Sequence, residues 1–258
     1  MARIRNAKDG IRHTFWFAYP FSRMLGYWPL SVSSSTFAKI SNYFIIFLSY
    51  LLTLIFMVPG LLYIFLKVKN GRSRIKLLMS HINGIVQMAK YTILLRKTKE
   101  IAKLLDEIKK DWMTASEENR QIFSTRASIE HKLTMVVVVT MYGGGFFYRA
   151  ILPLSKGKIV LSNNVTIRLL PCPGYFGFLD EQVSPNYEII FTLQVLGGFV
   201  IYTAVCGTKS ICLMLCLHMC GLLKILTNKV MELTNDKDEK VVQEKIAHIV
   251  DYQTRIIE

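Results

Sequence analysis

One uncharged stretch decides the fold of this chain: Tyr43–Leu66, which reads YFIIFLSYLLTLIFMVPGLLYIFL. No charged side chain occurs between Lys39 and Lys67. A helix rises about 1.5 Å per residue and the hydrocarbon core of a bilayer is about 30 Å thick, so about 20 apolar residues suffice to cross it. Because lipid offers backbone amides no hydrogen-bonding partner, such a segment crosses as a helix. The stretch therefore predicts a transmembrane helix that Pro59 and Gly60 bend but do not end.

The composition of the whole chain also favours a membrane protein. Of the 258 residues, 52% are hydrophobic and 12% aromatic, which is too apolar for an ordinary soluble domain of this size. The formal net charge of +14 is compatible with nucleic-acid binding, but the basic residues lie between hydrophobic runs and no recognition motif accompanies them. In membrane proteins such an excess marks cytoplasmic loops and contact with acidic headgroups. We therefore expect the lipid bilayer, and not nucleic acid, to be a partner.

The second apolar run, residues 75–95, is interrupted by polar side chains. These are His81, Asn83, Gln87 and Lys90. Because polar groups are costly in lipid, we expect them to face other helices or a cavity, with Lys90 close enough to the helix end to reach the interface. The alternative is an amphipathic helix that lies on the membrane surface.

The third and fourth apolar runs differ in length. The third, 133–152, contains the triplet Gly143–Gly145, which either lets another helix pack closely or leaves space for a ligand. The fourth, 189–223, is interrupted only by Lys209 and is longer than the bilayer core requires. We expect one helix that leaves the membrane near Lys209 and continues to 223. The alternative is a run that bends there and re-enters.

Residues 96–132 are predicted to form helices in water. Apolar residues recur there at helical spacing opposite a face of Lys, Glu and Asp. They are Ile101, Leu104, Leu105, Ile108 and Trp112. Residues 115–119 (ASEEN) predict a turn and a helix cap. The neighbours Glu130 and His131 are interpreted as a pair on the soluble face.

Residues 153–187 are predicted to form the longest non-helical loop, because they contain four prolines and several glycines. Asn164, followed by Val165 and Thr166, is a glycosylation acceptor pattern that matters only if the loop faces outward. Cys172 is expected to be alone on its side of the membrane.

The distribution of positive charge predicts the orientation. Of the 32 Lys and Arg residues, 21 lie in 1–42, 96–132 and 221–258, and 7 lie in 67–74 and 153–187. Positive residues concentrate on the cytoplasmic side, so both ends of the chain are expected there. The short 67–74 link, which is densely basic, argues in the opposite direction.

These runs predict an all-α protein, a polytopic transmembrane helical bundle with cytosolic helix extensions. The expected organisation is a cytoplasmic interfacial segment 1–42, a transmembrane bundle 43–223 with spans at 43–66, 75–95, 133–152 and 189–210 and a helical extension to 223, and a truncated cytoplasmic helical segment 224–258.

Several stretches, in this order and spacing, resemble insect odorant receptors, most of all the expanded receptors of ants, bees and wasps. They are LGYWP (Leu25–Pro29), DW (Asp111 and Trp112), LLPCPGYFGFLDEQVSPNYEI (Leu169–Ile189), HMCGLLKIL (His218–Leu226) and IVDYQTRIIE (Ile249–Glu258). The block Pro171–Glu188 is the most specific of these.

The resemblance implies a tuning subunit for olfaction and sensory transduction in the plasma membrane of olfactory neurons. Such receptors have seven spans and a cytoplasmic N-terminus. They form hetero-tetramers with a shared co-receptor subunit, and the tetramer opens a cation channel when a small hydrophobic odorant binds in the outer half of the membrane. Four spans are present here. The sequence is therefore expected to be the N-terminal portion of a receptor, from a partial gene model or a pseudogene, and is not expected to conduct alone.

No motif fixes the ligand pocket, so its residues are inferred from their depth in the second to fourth spans. Pockets for small apolar ligands are mostly apolar with a few placed polar groups. The candidates are His81, Tyr142, Gly145, Tyr148, Gln194 and Phe199. Each of them is also compatible with ordinary helix packing. Substituting Tyr148 or Phe199 by Ala is expected to change ligand preference.

Catalytic residues, metal sites and cofactors are not expected. The spans contain no paired carboxylates and no nucleophile beside a base, so an enzyme is not predicted. Cys212, Cys216 and Cys220 share one helix face, but His218 does not, and small thiols at a helix interface explain this pattern better than a metal. The alternative function is a four-span membrane transporter or scaffold protein unrelated to olfaction.

Overall fold

The computed structural model describes residues 6–30, 34–160, 166–177, 179–233 and 250. Helices dominate this part of the chain, as predicted. They are α1 Ala7–Thr14, α2 Ala18–Met24, α3 Thr36–Leu66, α4 Gly71–Arg96, α5 Thr98–Thr114, α6 Glu117–Val138, α7 Leu152–Lys156 and α8 Asn186–Leu233, with π-helical segments at Val139–Gly144 and Phe147–Ile151.

Helix α3 contains the uncharged stretch and begins earlier than the predicted boundary at Tyr43. Ser35 caps it, because its Oγ accepts a hydrogen bond from the Ala38 amide at 3.2 Å. A serine in this position satisfies an amide that has no partner within the helix. The helix continues through Pro59, as predicted, and ends at Leu66.

Three helical segments of the described residues are long and apolar enough to cross a membrane: Thr36–Leu66, Glu117–Lys156 and Asn186–Glu232. They contain the first, third and fourth predicted spans. The second predicted span, 75–95, lies within helix α4 but does not reach the same apolarity, because basic and polar residues interrupt it. Whether α4 crosses the bilayer therefore remains a prediction.

The polar residues of α4 are divided between the interior and the surface. His81 and Gln87 are buried, which confirms the prediction that they face protein. Asn83 is exposed, so the prediction is wrong for that residue. Asn83 lies one turn before Gln87 and accepts a hydrogen bond from its Nε2 at 3.3 Å, so it is at the edge of the buried face.

Helix α8 is one continuous helix from Asn186 to Leu233. The prediction that the fourth run continues past Lys209 without re-entering is confirmed. Lys209 is exposed, and its neighbours Thr208 and Ser210 are buried. The charged residue therefore lies on a solvent-facing or lipid-facing side of the helix without breaking it.

The segment 153–187 is predicted to be a non-helical loop, and among its described residues this is wrong only at the two ends, where α7 extends to Lys156 and α8 begins at Asn186. Between these ends it contains two short strands. Strands β1 Lys158–Val160 and β2 Thr166–Arg168 pair antiparallel, with Ile159 opposite Ile167. Two short strands of three residues carry too little periodic signal to be recognised among the prolines and glycines. The proposed acceptor Asn164 lies outside the described residues.

The chain forms two compact units, each built from separate stretches. The first comprises Met1–Ala18, Ala102–Thr134 and Ser210–Glu258, and the second comprises Tyr19–Ile101 and Met135–Lys209.

The first unit has a core built on helix α5. Leu105, Ile108 and Trp112 are buried, as their spacing predicted, and the Trp112 ring lies 5.5 Å from that of Phe123. Leu104, in contrast, is exposed. The core therefore follows one narrow face of α5.

Glu130 belongs to this core, so the interpretation of Glu130 and His131 as a soluble-face pair is wrong. Glu130 is 1% exposed. Its Oε1 accepts hydrogen bonds from Thr134 Oγ1 at 2.8 Å and from Ser210 Oγ at 3.0 Å. A buried carboxylate needs such donors, and Ser210 is far away in the sequence, so the local pattern could not reveal them.

The second unit contains helices α3 and α4 and exposes large apolar side chains. On α3 these include Phe44, Phe47 and Phe65, each with about 60% of its surface exposed. A soluble protein rarely exposes so extensive an apolar surface. A bilayer would cover it, in agreement with the hydropathy of the helix.

Candidate ligand-binding site

His81 lies on α4 against helix α3 of the second unit. Its Nδ1 is 3.0 Å from the Leu77 carbonyl oxygen, a distance at which Nδ1 donates the hydrogen bond. The imidazole stacks on the Phe56 ring with 6.4 Å between ring centres and faces Gly60, where a side chain would overlap it. A glycine on α3 and a histidine on α4 therefore place this polar ring inside the unit.

Tyr142 joins the third span to helix α8. Its hydroxyl is 2.7 Å from Thr203 Oγ1, which itself donates to the Phe199 carbonyl at 2.8 Å. The Tyr142 hydroxyl is thus the donor in the shared hydrogen bond. Its ring is 5.2 Å from the Phe199 ring and 6.3 Å from the Tyr202 ring. The structure brings the candidates Tyr142 and Phe199 into contact.

The glycine triplet shows close helix packing at one position, Gly145, while Gly143 and Gly144 are exposed. Gly145 packs against the Tyr202 ring so closely that a Cβ there would overlap it. At Gly143 and Gly144 a Cβ would meet no atom within 4 Å. Close packing therefore explains Gly145, whereas the other two glycines border open space.

Gln194 is fully buried, but its side chain is already engaged. Its Oε1 accepts a hydrogen bond from the Cys172 amide at 3.1 Å, and its Nε2 donates to the Cys172 carbonyl at 3.0 Å. Both hydrogen-bonding ends of the side-chain amide thus fasten the loop to helix α8. Gln194 positions the loop and has little capacity left for a ligand.

Tyr148 is the most exposed of the candidate side chains on the third span. It is 66% exposed and lies in the second π-helical segment. Tyr142 is half-buried on the same stretch. The structure therefore brings Tyr142, Gly145 and Phe199 together around Tyr202, although Phe199 is itself 41% exposed. It places His81 separately against Phe56 and leaves Tyr148 exposed.

Arg149 is the residue that sequence reasoning missed. Its guanidinium carbon lies 4.5 Å from the centre of the Phe56 ring and 5.6 Å from that of Tyr202. A charged residue within a span is costly, by about 2.5–3.5 kcal/mol on insertion scales, and is a functional candidate for that reason. Arg149 is the only charged residue in 133–152, which was the available signal.

The thiol of Cys172, in the loop before α8, interacts electrostatically with the guanidinium of Arg149. Burial raises the pKa of its thiol, and the positive charge of Arg149 offsets this only in part. The thiol is therefore neutral near pH 7. Cys172 also packs with Phe56, Met57 and Ile201 in one apolar cluster.

We call Phe56, His81, Arg149 and Tyr202 the aromatic–arginine cluster. It combines two aromatic faces, a buried imidazole and one cation, and Tyr142 and Phe199 extend its apolar surface. Pockets for small apolar ligands have this composition, a mostly apolar surface with a few placed polar groups, which makes the cluster the candidate site.

The three cysteines of α8 do not form a metal site with His218. Cys212, Cys216 and Cys220 are exposed, whereas His218 is buried and faces Asp111. Among the residues that the structure describes, no group of three or more His, Cys, Asp or Glu side chains is arranged to hold a metal ion. The interpretation that His218 lies on another helix face is confirmed. The interpretation of the three cysteines as small thiols that fill a helix interface is wrong within this chain, because all three are exposed.

Long apolar helices that expose large apolar side chains indicate a helical membrane protein. The family model described as 7tm Odorant receptor matches residues 71–258 of this sequence. The chain therefore belongs to the odorant receptor family. Among the curated proteins no match is found. This family consists of receptors and channels and not of enzymes, and membership argues against the alternative of an unrelated transporter or scaffold.

Proposed function

We propose that this chain is the tuning subunit of an odorant-gated cation channel in the plasma membrane. It binds a small volatile ligand in the outer half of the bilayer and assembles with a shared co-receptor subunit. Membership of the odorant receptor family supports this role. The contact of Tyr142 with Phe199 and Thr203 supports the proposed binding region. It joins two spans through aromatic and polar side chains of the kind found in pockets for small apolar ligands.

The proposed topology places the N-terminus in the cytoplasm. The excess of positive charge in 1–42, 96–132 and 221–258 supports it. The first compact unit collects much of these same stretches, while the second contains α3 and most of the third and fourth spans. The domain organisation 1–42, 43–223 and 224–258 is part of the same proposal.

Ligand binding is tested with the full chain in nanodiscs. A panel of radiolabelled volatile molecules is equilibrated with the protein, and empty nanodiscs measure partition into lipid. We expect saturable binding of at least one small apolar odorant. The same panel without any saturable component would contradict the receptor role.

Channel function is tested by expressing the chain with an odorant co-receptor subunit in cells that lack both. We expect the two chains to co-purify, and cation currents to follow addition of the ligand found in nanodiscs. The co-receptor alone is the control. Currents that are unchanged by this chain, together with failure to co-purify, would contradict the proposed partnership.

A further inference from the structure

Arg149 directs its charge into the second unit instead of towards the nearer end of its helix. Side chains on a helix lean towards its N-terminus, and Arg149 lies near the C-terminal end of the helical segment Glu117–Lys156. A long cation close to a span end usually reaches for the headgroups. Here the guanidinium instead lies over Phe56 and near Tyr202, and its Cδ approaches Gly198.

Among the described residues, the Arg149 side chain contacts the rings of Phe56 and Tyr202 and forms a hydrogen bond with the Tyr202 side chain. Within residues 6–30, 34–160, 166–177 and 179–233, no Asp or Glu forms an ion pair with Arg149. Glu188, at the start of α8, is paired with Arg168 at 2.8 Å. The Cys172 thiol is neutral, as argued above. Ring faces attract a cation, but they do not neutralise it.

We infer that Arg149 is the recognition group for a ligand that carries a carboxylate on a short apolar chain. This inference rests on the proposed function and names the ligand class of that site. A guanidinium matches a carboxylate with two parallel hydrogen bonds. The apolar chain of such a ligand fits the aromatic surface of Phe56, Tyr202 and Tyr142.

Arg149 has no acidic partner among the described residues, and this favours a charged ligand over a neutral one. Much of the cost of removing the guanidinium from water is already incurred in the folded chain, so a carboxylate gains the attraction without that cost. A neutral alcohol of the same length offers one weak acceptor. The site should therefore distinguish the two mainly through Arg149.

Binding of octanoate and octanol to the full chain in phosphatidylcholine nanodiscs tests this inference. The variants are Arg149→Gln, which removes the positive charge, and Arg149→Lys, which keeps the charge but cannot donate two parallel hydrogen bonds from a planar group. Lys90→Gln is the matched control, because it removes another half-buried cation from the predicted spans. Empty nanodiscs correct for partition into lipid, and thermal unfolding checks that each variant is folded.

We expect the wild-type chain to bind octanoate more tightly than octanol. Arg149→Gln should weaken octanoate binding by roughly tenfold or more and change octanol binding by less than about twofold. Arg149→Lys should retain part of the octanoate affinity, and Lys90→Gln should retain all of it.

Two outcomes would overturn the inference. If octanol binds and octanoate does not, or if Arg149→Gln weakens both equally, Arg149 does not recognise a carboxylate, and the receptor role is unaffected. If no member of the wider volatile panel binds the wild-type chain, the proposed function itself fails.

Discussion

The Nε2 atom of His218 lies 2.9 Å from the Oδ2 atom of Asp111, and both side chains are 7% exposed. The His218 ring also stacks on Phe123 at 4.7 Å between ring centres. Asp111 comes from α5 and His218 from α8, so the pair fastens two helices of the first unit. Two short motifs that are 107 positions apart in the sequence thus form one buried contact.

Removing one partner of this pair should destabilise the first unit. Because His218 is left buried without its hydrogen-bond partner, Asp111→Ala should lower the free energy of unfolding by about 1–3 kcal/mol. Thermal unfolding of the detergent-purified chain measures the loss. Asp106→Ala is the matched control, since Asp106 pairs with Lys109 on an exposed face and should change stability by less than about 1 kcal/mol. Equal effects of the two substitutions would contradict a structural role for the pair.

Substitution by alanine should lower the free energy of unfolding at Gly145 but not at Gly143. Gly145→Ala should lower the free energy of unfolding by about 1–3 kcal/mol, because the new Cβ overlaps the Tyr202 ring. Gly143→Ala meets open space in the same helical segment and should leave stability unchanged or raise it slightly. Unfolding of both variants in one detergent checks this. A destabilised Gly143→Ala beside an unchanged Gly145→Ala would show that the spans pack differently.

Gln194 should control access to the loop that contains Cys172. Gln194→Ala leaves the Cys172 amide and carbonyl without their partners, which costs about 1–3 kcal/mol and loosens the loop. Maleimide labelling of Cys172, followed by peptide mass spectrometry, should then become faster. Gln121→Ala, on an exposed face of α6, is the control. Labelling that is equally slow in all three chains would show that Gln194 does not hold the loop.

Phe199 is 41% exposed and contacts the Tyr142 ring, whereas Tyr148 is 66% exposed. Phe199→Ala removes a ring that contacts Tyr142, so we expect it to change the order of affinities within a volatile panel. Tyr148→Ala, which the sequence alone predicted to act similarly, should leave that order unchanged because the side chain is 66% exposed. Equilibrium binding in nanodiscs provides the comparison. A changed order for Tyr148→Ala alone would place the ligand on the other face of the span.

The elements that the sequence predicted are those whose signal is local. The uncharged run of α3 and the apolar run of α8 exceed the bilayer thickness, so their helices follow from composition alone. The buried face of α5 follows from its period, with Leu105, Ile108 and Trp112 inside. Odorant receptor membership agrees with the stretches that resemble this family.

What the sequence could not predict depends on contacts between distant residues. Its local sequence predicts that Glu130 lies on the surface, because the hydrogen bond from Ser210 of α8 joins residues 80 positions apart. The sequence likewise leaves Gln194 without a partner, because its hydrogen bond to the Cys172 carbonyl forms only when the loop packs on α8. Arg149 is visible as a lone charge, but the direction of its side chain depends on the position of Phe56 on another helix.

Photoaffinity labelling with a diazirine analogue of a bound odorant tests the central claim most directly. The claim is that a small ligand occupies the interior beside Tyr142, Phe199 and the aromatic–arginine cluster. The account predicts crosslinks to peptides that contain Tyr142, Tyr202 or Phe56, and their loss when the unmodified odorant is added. Crosslinks confined to exposed positions such as Phe44, unchanged by the competitor, would contradict it.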